Sequence, residues 1–268
     1  MMTNGLLLDL EKKDLDILNE FQPIDWPDIT VAFSFYYNSW YCQPMKLVLN
    51  HEIIGIGNII LLHDTAWLSQ IIIKESFRNQ GWGKYITEGL INFCRQKVKS
   101  ISLLATPLGY PVYEKLGFKT QGIYHFYKGN SFNEPISNTE IKEYDTMCHC
   151  DILDMDKEVS GEIRARILQD HWASSKVILN QNKVIAYYLP ALGEGMIISK
   201  DPGSGLELIK LHLNTRDKIV FPIENEIAAD FLLSHGFNQY RQAHRMVIGQ
   251  PIEYKPTWIY SRIGGNLG

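Results

Sequence analysis

The sequence predicts an α/β protein built from two similar units, and three observations support this. Residues 67–73 form a short apolar run rich in β-branched residues, followed after two glycines by apolar residues at helical spacing. This is the pattern of a buried strand joined to a helix. The strand, polar turn and strand of 47–62 recur at 177–192, and the Leu-Gly-Phe of 116–118 recurs as His-Gly-Phe at 235–237. Repetition of elements in one order indicates an internal duplication.

The bulk composition indicates a globular protein without a nucleic-acid or membrane partner. The chain has 268 residues, 45% of them hydrophobic, and a formal net charge of -4. This length lies between one and two domains, and the negative charge argues against general nucleic-acid binding. No apolar stretch reaches 18 residues, and the N-terminal leucines lead into an acidic segment at 10–16. Neither a membrane span nor a signal peptide is therefore predicted, the expected location is the cytoplasm, and the oligomeric state is left open.

The cysteines do not indicate a metal site or a disulfide framework. Cys42, Cys94, Cys148 and Cys150 form no Cys-x-x-Cys pair, so we expect free thiols in a reducing compartment. Cys148-His149-Cys150 brings together residue types that bind metals, but no second ligand pair follows at the spacing of a zinc site. The sequence predicts no metal.

An aromatic-rich segment, residues 26–42, precedes the first hairpin. Its aromatic positions 33, 36, 37, 40 and 41 fall on one face of a helix, so most of them are expected in the core and the rest in a pocket. An aromatic wall favours an apolar or cationic ligand through burial or cation-π contact.

The corner between the first buried strand and the following helix predicts an anion-binding site. Its sequence at 76–86, Ser-Phe-Arg-Asn-Gln-Gly-Trp-Gly-Lys-Tyr-Ile, contains Gly81 and Gly83. Glycines leave backbone N–H groups without side-chain cover, and the first turn of a helix offers unpaired donors at the positive end of its dipole. A phosphate suits such a corner. The spacing excludes a Walker loop, which needs Ser or Thr at Tyr85, and a dinucleotide fingerprint, which needs glycine at Ile86.

The pattern that is present, Arg78-x-x-Gly81-x-Gly83, resembles the pyrophosphate-binding motif of the GNAT acyltransferase superfamily. Members of that family carry Ile or Val five residues before the arginine, as Ile73 stands here, and a second motif further along the chain. Residues 103–118 supply the second motif with a short strand, a helix and a closing Leu-Gly-Phe. The resemblance covers roughly residues 5–128.

A polar, turn-rich segment at 129–145 is the predicted linker between two domains, residues 1–132 and residues 133–268. Residues 235–249 resemble the C-terminal acetyltransferase-like domain of bacterial tandem GNAT proteins, in which an Arg-Met-Val-x-Gly strand is characteristic. Residues 257–268 are similar to the terminal strand of that family. The resemblance implies two GNAT-like units, each a mixed, mostly antiparallel sheet flanked by helices.

The second half opens with a helix-like segment at 154–172, and its own corner departs from the family pattern. Lys200-Asp-Pro-Gly203-Ser-Gly205 keeps both glycines but has lysine in place of arginine and adds Asp201. A carboxylate repels a pyrophosphate, and Leu232, at the position of Tyr113, cannot donate a proton. We therefore expect the second unit to be degenerate, and to close over or brace the first.

The resemblance implies that the first unit is an N-acyltransferase, in which acetyl-CoA or another acyl-CoA is the co-substrate and a small amine or amino compound is the acceptor. The acyl group would pass directly to the amine. Tyr113, four residues before Gly-Phe, would be the catalytic residue that hydrogen-bonds to the leaving thiolate and then protonates it. The predicted cofactor-binding residues are Ile71, Ile72, Ile73, Arg78, Asn79, Gln80, Gly81, Trp82, Gly83 and Lys84.

The sequence shows no evident base for the amine. In several family members the base lies on the strand before the motif, where this chain has Trp67 and Ser69. His63, Asp64 or His125 could approach from neighbouring strands, and an amine that arrives neutral needs no base. A non-catalytic acyl-CoA sensor or interaction protein therefore stays open as the alternative, as does transfer to a protein lysine.

Overall fold

The protein folds into two compact units. The computed structural model describes residues 5–24, 26–130, 132, 135 and 141–265. Among the described residues, unit 1 comprises those up to Lys119 together with Met246–Pro251 and Gly265, and unit 2 comprises those within Thr120–Arg245 and Ile252–Gly264. The predicted linker lies in part outside the described residues.

Unit 1 is built on a mixed sheet. Its strands are β1 (Leu6–Asp9), β2 (Cys42–Leu49), β3 (Glu52–Leu61), β4 (Thr65–Ile73), β5 (Ser100–Ala105) and the end of β12 (Asn238–Gly249), which enters unit 1 at Met246. They lie in the order β1-β2-β3-β4-β5-β12. The pairs among β1 to β5 are antiparallel except β4 with β5, which is parallel. The predicted mixed, mostly antiparallel sheet is confirmed.

The helices of unit 1 are α1 (Ile29–Asn38), α2 (Trp82–Cys94) and α3 (Tyr110–Lys115). Most of the predicted apolar face of α2 is buried, since Ile86 and Leu90 pack in one core cluster with Leu68 of β4 and Leu103 of β5, whereas Tyr85 is 37% exposed. Each such side chain contributes about 1.5–3 kcal/mol of transfer free energy. This packing fixes the start of α2 beside the end of β4.

The aromatic segment is only partly core. Phe33, Tyr36 and Tyr41 are buried, whereas Tyr37 is 41% exposed and Trp40 is 75% exposed. Since α1 ends at Asn38, Trp40 no longer follows helical spacing. Three of the five aromatic positions therefore lie where the helical face predicts.

Unit 2 repeats the plan of strands and helices. Its strands are β6 (Lys119–Lys128), β7 (Ile141–Glu143), β8 (Lys176–Asn180), β9 (Lys183–Leu189), β10 (Met196–Ser199), β11 (Lys218–Pro222), the first part of β12, and β13 (Ile259–Ser261). They lie in the orders β12-β6-β11 and β13-β10-β9-β8-β7. Its helices are α4 (His149–Ser160), α5 (Ala165–Gln169), α6 (Pro202–Leu213) and α7 (Glu226–Ser234). The 3-10 helices in the described parts of both units are Lys12–Phe21, Glu75–Phe77, Thr146–Cys148, Trp172–Ser174 and Pro256–Trp258.

The repeated hairpins have the same turn. Between β2 and β3 the turn residues Asn50 and His51 have φ of 49° and 68°, and between β8 and β9 Gln181 and Asn182 have φ of 48° and 63°. Two consecutive positive φ values are typical of the tight turn whose twist matches that of paired strands. The hairpins predicted from the repeated segments are thus the same structure in each unit.

The repeated Gly-Phe motif also has one geometry. The N–H of Phe118 donates to the carbonyl of Tyr113 at 3.1 Å, and the N–H of Phe237 donates to that of Leu232 at 3.0 Å. The glycine before each phenylalanine has a positive φ, 92° and 79° respectively, so each ends its helix in a left-handed residue. Leu232 therefore occupies in unit 2 the place of Tyr113 in unit 1.

The parallel strands of unit 1 separate after four residue pairs. β4 pairs with β5 from Thr65 opposite Ser100 to Leu68 opposite Leu103, while β4 stays paired with β3 up to Ile73. Gln70, just beyond the separation, has φ of 51°, and the register of β3 against β4 shifts nearby. In the described part of the chain, residues 69–73 thus have no partner strand on the β5 side, and we call this place the fork.

In the described part of unit 2, β13 occupies the place that corresponds to the fork. β13 pairs with β10, with Ser261 opposite Ile197, and the N–H of Arg262 donates to the carbonyl of Val220 on β11 at 2.9 Å. β10 precedes α6 as β4 precedes α2, so the matching strands of unit 2 are bridged by the protein's own backbone.

The division into units does not follow the predicted domain boundary after residue 132. β6 lies between β12 and β11 in sheet order and is assigned to unit 2 from Thr120 onward, while Met246–Pro251 belong to unit 1. The predicted helix at 154–172 is two helices, because Gly161, with φ of 71°, ends α4.

Candidate cofactor and catalytic site

The corner after β4 presents an uncapped helix start. Gly81 is the N-cap of α2 with φ of 87°, and no side chain makes a capping hydrogen bond there. The first helical bond runs from the N–H of Tyr85 to the carbonyl of Gly81, at 3.0 Å. The N–H groups of residues 82–84 come before that bond, so they are the donors that a helix leaves for an anion, at the positive end of its dipole.

Gly83 faces open space. A Cβ built on Gly83 meets no atom within 4 Å, apart from its chain neighbours and the helix backbone. The protein's own packing therefore does not require glycine at this position. A backbone kept bare beside free N–H donors fits the approach of a phosphate group.

The side chains of the corner mainly hold its shape. Arg78 Nε donates to the carbonyl of Ile73 at 3.1 Å, and Gln80 Nε2 donates to that of Ser76 at 3.1 Å. Asn79 has φ of 61°, and Trp82 is 5% exposed within the core cluster. We infer that the backbone of this segment, rather than the Trp82 and Gln80 side chains, faces a ligand.

The remaining predicted cofactor residues line the strand edge and the first turn of α2. Ile72 and Ile73 are buried and Ile71 is half-buried, so their side chains pack and their backbone is what the fork leaves open. Lys84 Nζ lies 3.6 Å from a carboxylate oxygen of Glu88. The ten predicted residues thus lie at the end of β4, in the corner and in the first turn of α2, and their role in binding stays a prediction.

Tyr113 is half-buried on α3, against Gly109 and Phe118. Its ring lies edge-on to that of Phe118, with centroids 6.0 Å apart, and a Cβ on Gly109 would lie 3.2 Å from the Tyr113 hydroxyl. Burial raises the pKa of Tyr113 to about 12. The phenol is therefore protonated throughout the physiological range.

Polar side chains missed as a set by the sequence analysis lie at the fork. Asn58 on β3 is opposite Ser69 on β4, and Asn58 Nδ2 donates to Ser69 Oγ at 3.2 Å. Burial raises the pKa of the neighbouring Cys42 thiol to about 12, with a hydrogen bond to Asn58 acting in the opposite direction. Their signal in the sequence is polar residues inside otherwise apolar strands.

His63 and Asp64 do not lie at the fork. They stand before β4, where Asp64 Oδ2 lies 3.3 Å from Lys99 Nζ. Five to six strand residues separate them from Ser69, roughly 17–20 Å. The expectation that either approaches as a base is therefore wrong for this geometry.

The matching helix start in unit 2 is closed by its own side chains. Asp201 is the N-cap of α6, and its Oδ2 accepts from the N–H of Ser204 at 2.7 Å. A Cβ on Gly205 would lie 2.5 Å from the Tyr260 ring, so that glycine serves the packing of Tyr260 from β13. The predicted acidic residue at this corner thus replaces an external anion.

Removal of the Asp201 side chain should lower the stability of the protein by a small amount. We expect Asp201→Ala to lower the free energy of unfolding by about 1 kcal/mol, the usual cost of losing an N-cap side chain. Denaturant unfolding of the full chain measures it. Unchanged stability would mean that the N–H groups of α6 find other partners.

The described residues do not indicate a metal or a transmembrane helix. Within the described ranges, no group of three His, Cys, Asp or Glu side chains is placed to hold a metal ion. No helix in that part of the chain is both long and apolar enough to cross a membrane.

Comparison with known proteins agrees with this geometry. Residues 43–132 match the family model of the acetyltransferase (GNAT) domain. A Bacillus subtilis protein provisionally named [ribosomal protein bS18]-alanine N-acetyltransferase is 22% identical over 130 residues, which cover 46% of this chain and 86% of that protein.

Two solved structures share the fold over at least 93% of this chain. One from Pyrococcus horikoshii, provisionally described as an acetyltransferase, covers 100% of this chain and 97% of its own at a TM-score of 0.85 and 20% identity. A tandem GNAT protein from the clavulanic acid biosynthesis pathway covers 93% of this chain and 100% of its own at a TM-score of 0.58 and 10% identity. Residues 43–132 are therefore similar to the acetyltransferase domain of the GNAT type, and the chain shares its fold with these two solved structures.

Proposed function

We propose that unit 1 is an N-acyltransferase that moves an acyl group, acetyl as the first candidate, from acyl-CoA directly to the amine of a small molecule. The observation that carries the proposal is an uncapped helix start at Gly81 followed by open space at Gly83. The open edge of β4 leads to that corner. Buried or helical backbone groups left without partners are uncommon unless a ligand or water satisfies them.

Coenzyme A fits these two features together. Its diphosphate would lie on the N–H groups of residues 82–84, and its amide-containing arm would pair with the edge of β4 at 71–73. Arg78 ties the corner to the end of the strand through the carbonyl of Ile73, which holds the two parts of the site at a fixed distance. Acyl-CoA supplies an activated thioester and a thiol leaving group.

Tyr113 is the proposed proton donor to the leaving sulfur. Burial holds the pKa of its phenol at about 12, so full transfer to a thiolate of pKa near 8.5 is uphill by roughly 5 kcal/mol. Tyr113 therefore first donates a hydrogen bond to the developing negative charge. It gives up its proton only as it receives another from the amine that has been acylated.

Unit 2 is proposed to be non-catalytic. Leu232 stands in the place of Tyr113, Asp201 caps the helix start, and Tyr260 covers Gly205. A thioester ligand would have to displace β13 to reach the strand edge.

One observation favours a second candidate function, acyl-CoA binding without transfer. The side chains identified at the fork, Asn58, Ser69, Gln70 and Ser102, include no carboxylate and no histidine. A sensor would need the cofactor site and no base. An enzyme with this set would need an acceptor that is already neutral.

Product formation separates these functions. We expect the full chain, incubated with acetyl-CoA and a panel of amines, to release coenzyme A in proportion to one acetylated amine. Coenzyme A should be separated by chromatography, because the exposed Cys150 would itself react with a thiol reagent. Tight acetyl-CoA binding with no release across the panel would favour the sensor.

The panel should include small amines and one peptide that begins with alanine. The Bacillus subtilis relative, by its name, acts on an alanine of a ribosomal protein. Acetylation of the peptide alone would shift the proposal from a small amine to a protein N-terminus.

A further inference from the structure

Three buried side-chain atoms of unit 1 have no hydrogen-bond partner among the described residues. They are Asn58 Oδ1, Gln70 Oε1 and Ser102 Oγ. Asn58 and Ser102 are each 0% exposed. Buried polar atoms are nearly always paired, so each orphan needs an explanation such as a ligand or an ordered water.

The three atoms belong to adjacent strands at the fork. Asn58 on β3 is opposite Ser69 on β4, and Gln70 is the next residue, with its left-handed φ of 51°. Ser102 on β5 is opposite Trp67, one residue before the last pair of β4 with β5. The residues that carry the orphaned atoms therefore lie, by strand register, within two positions of the point where β4 and β5 separate.

Ser100 shows that burial on this strand does not itself leave a hydroxyl unpaired. It lies two residues before Ser102 on β5 and is equally buried, with exposures of 3% and 0%. Its Oγ donates to the carbonyl of Gln250 at 2.6 Å. The unpaired hydroxyl is the one nearer the fork.

The chemistry of these atoms matches a neutral amine. The amide oxygens of Asn58 and Gln70 accept hydrogen bonds, and the Ser102 hydroxyl can accept as well. A neutral primary amine offers two N–H donors and keeps its lone pair for attack. A protonated amine would have to leave water for a buried site without a compensating carboxylate, which is unfavourable.

We propose that Asn58 and Gln70, assisted by Ser102, bind the acceptor amine through hydrogen bonds to its N–H groups, and that the acceptor is a weakly basic α-amine rather than a lysine-type amine. This inference rests on the proposed acyltransferase function of unit 1. It adds the class of acceptor and the residues that hold it. A free amino acid derivative and a peptide N-terminus share this chemistry.

The reaction balances without a separate base. The nitrogen lone pair forms a bond to the thioester carbonyl carbon, and the carbon–sulfur bond breaks with its electron pair on sulfur. The proton lost by the acylated nitrogen replaces the proton that Tyr113 gives to sulfur. The products are the amide and the free thiol, and no proton is gained or lost overall.

A pair of probes tests the acceptor class. Alanine amide and Nα-acetyl-lysine amide stand for amines with pKa near 8 and near 10.4, whose neutral fractions at pH 7 are about one in ten and about one in 2,500. We expect kcat/KM at pH 7 to favour the α-amine on the order of 100-fold. Equal values, or a preference for lysine, would overturn the proposal. Ala-Ala-Ala amide, tested as a third acceptor, distinguishes a peptide N-terminus from a single amino acid as the source of the α-amine.

The pH profile tests the absence of a base. Cys42, which is hydrogen-bonded to Asn58, and Tyr113, the proposed proton donor, each have a pKa that burial raises to about 12. Neither titrates between pH 6 and 9. We expect log kcat/KM to rise with unit slope up to the pKa of each amine used. A break at one pH common to both amines would reveal an enzyme base and contradict the proposal.

Two serine variants supply a matched test of the site. Ser102→Ala should leave the thermal midpoint unchanged or slightly higher, leave acetyl-CoA affinity unchanged, and raise KM for the amine three- to tenfold. Ser100→Ala should lower the midpoint, because the Gln250 carbonyl loses its donor, and leave the amine KM unchanged. If KM for the amine changed equally in both variants, the effect would come from a general loss of packing on β5. That result would contradict the assignment of Ser102 to amine binding.

Asn58→Asp tests the same residue by adding the charge that the site lacks. We expect a new break in the pH profile and a smaller preference for the α-amine. If this variant does not fold, the comparison of Ser102→Ala with Ser100→Ala and the wild-type pH profiles still test the proposed amine site. Amine-dependent release of coenzyme A with no effect of any variant would refute this inference alone, whereas no release with any amine would refute the proposed function.

Discussion

Glu in place of Gly83 is expected to abolish acyl-CoA binding without unfolding unit 1. The Cβ of the new residue enters open space, so the protein itself tolerates it. A carboxylate in the first turn of α2 also interacts favourably with the helix dipole, by about 0.3–1 kcal/mol. Replacement of a helical glycine adds roughly 0.5–1 kcal/mol. Stability should therefore stay equal or rise.

Binding should change in the opposite direction. The carboxylate of Gly83→Glu takes the N–H donors that a diphosphate needs and repels its charge. We expect acetyl-CoA affinity to fall at least 100-fold, or about 2.7 kcal/mol, by titration calorimetry. Thermal unfolding of the same sample reports the stability.

The matched control is Gly83→Ala, which adds a methyl group without charge. It should raise the thermal midpoint slightly and weaken binding much less than Gly83→Glu does. Gly203→Ala, at the second position of α6, should leave acetyl-CoA affinity unchanged. Full affinity in Gly83→Glu would show that the diphosphate does not lie on the start of α2.

Local structure was largely predictable because it depends on neighbours in sequence. The hairpin at Asn50 and His51 follows from apolar runs around a polar pair, and the corner at Gly81 follows from glycines between a strand and an amphipathic helix. Each pattern has a short-range cause, namely turn twist or helix-end hydrogen bonding.

Long-range pairing was not predictable in the same way. Nothing in residues 246–251 states that they join unit 1, and nothing in Ile259–Ser261 states that they fill the gap between β10 and β11. The pairing of these segments depends on which sheet edge is left open and gives the more stable strand pairing. The contact of Tyr260 with Gly205 can be predicted only when the position of β13 beside β10 is known.

Contacts of buried polar atoms inside the units were likewise not predictable from the sequence. Asp156 and Arg164 pair at 2.6 Å while buried, and the Tyr187 hydroxyl donates to the same carboxylate at 2.7 Å. In the sequence these residues read as parts of a helix and a strand. The orphaned oxygen of Asn58 likewise follows from register across strands, since a shift of one residue would turn the side chain to the other face.

A tyrosine that supports the leaving group should affect turnover far more than binding, and Tyr113→Phe isolates that effect. Its hydroxyl makes no hydrogen bond to the described part of the protein, so its loss should leave the thermal midpoint and the acetyl-CoA affinity unchanged. A hydrogen bond to a charged group is worth about 1.5–3 kcal/mol. We therefore expect kcat to fall roughly 10- to 100-fold, measured by release of coenzyme A under saturating substrates.

The pH dependence of that loss identifies the role of Tyr113. Since burial raises the pKa of Tyr113 to about 12, the phenol carries its proton between pH 6 and 9, and its ionisation would weaken the fold only as the pH rises above the ordinary value near 10. The ratio of wild-type to variant kcat should then be constant from pH 6 to 9. Tyr110→Phe, on the same helix, serves as the control and should retain wild-type turnover. A ratio of wild-type to variant kcat near one would show that Tyr113 takes no part in the chemistry. A ratio that falls as the pH rises from 6 to 9 would mean that the phenol ionises in this range and that its surroundings are more polar than its burial indicates.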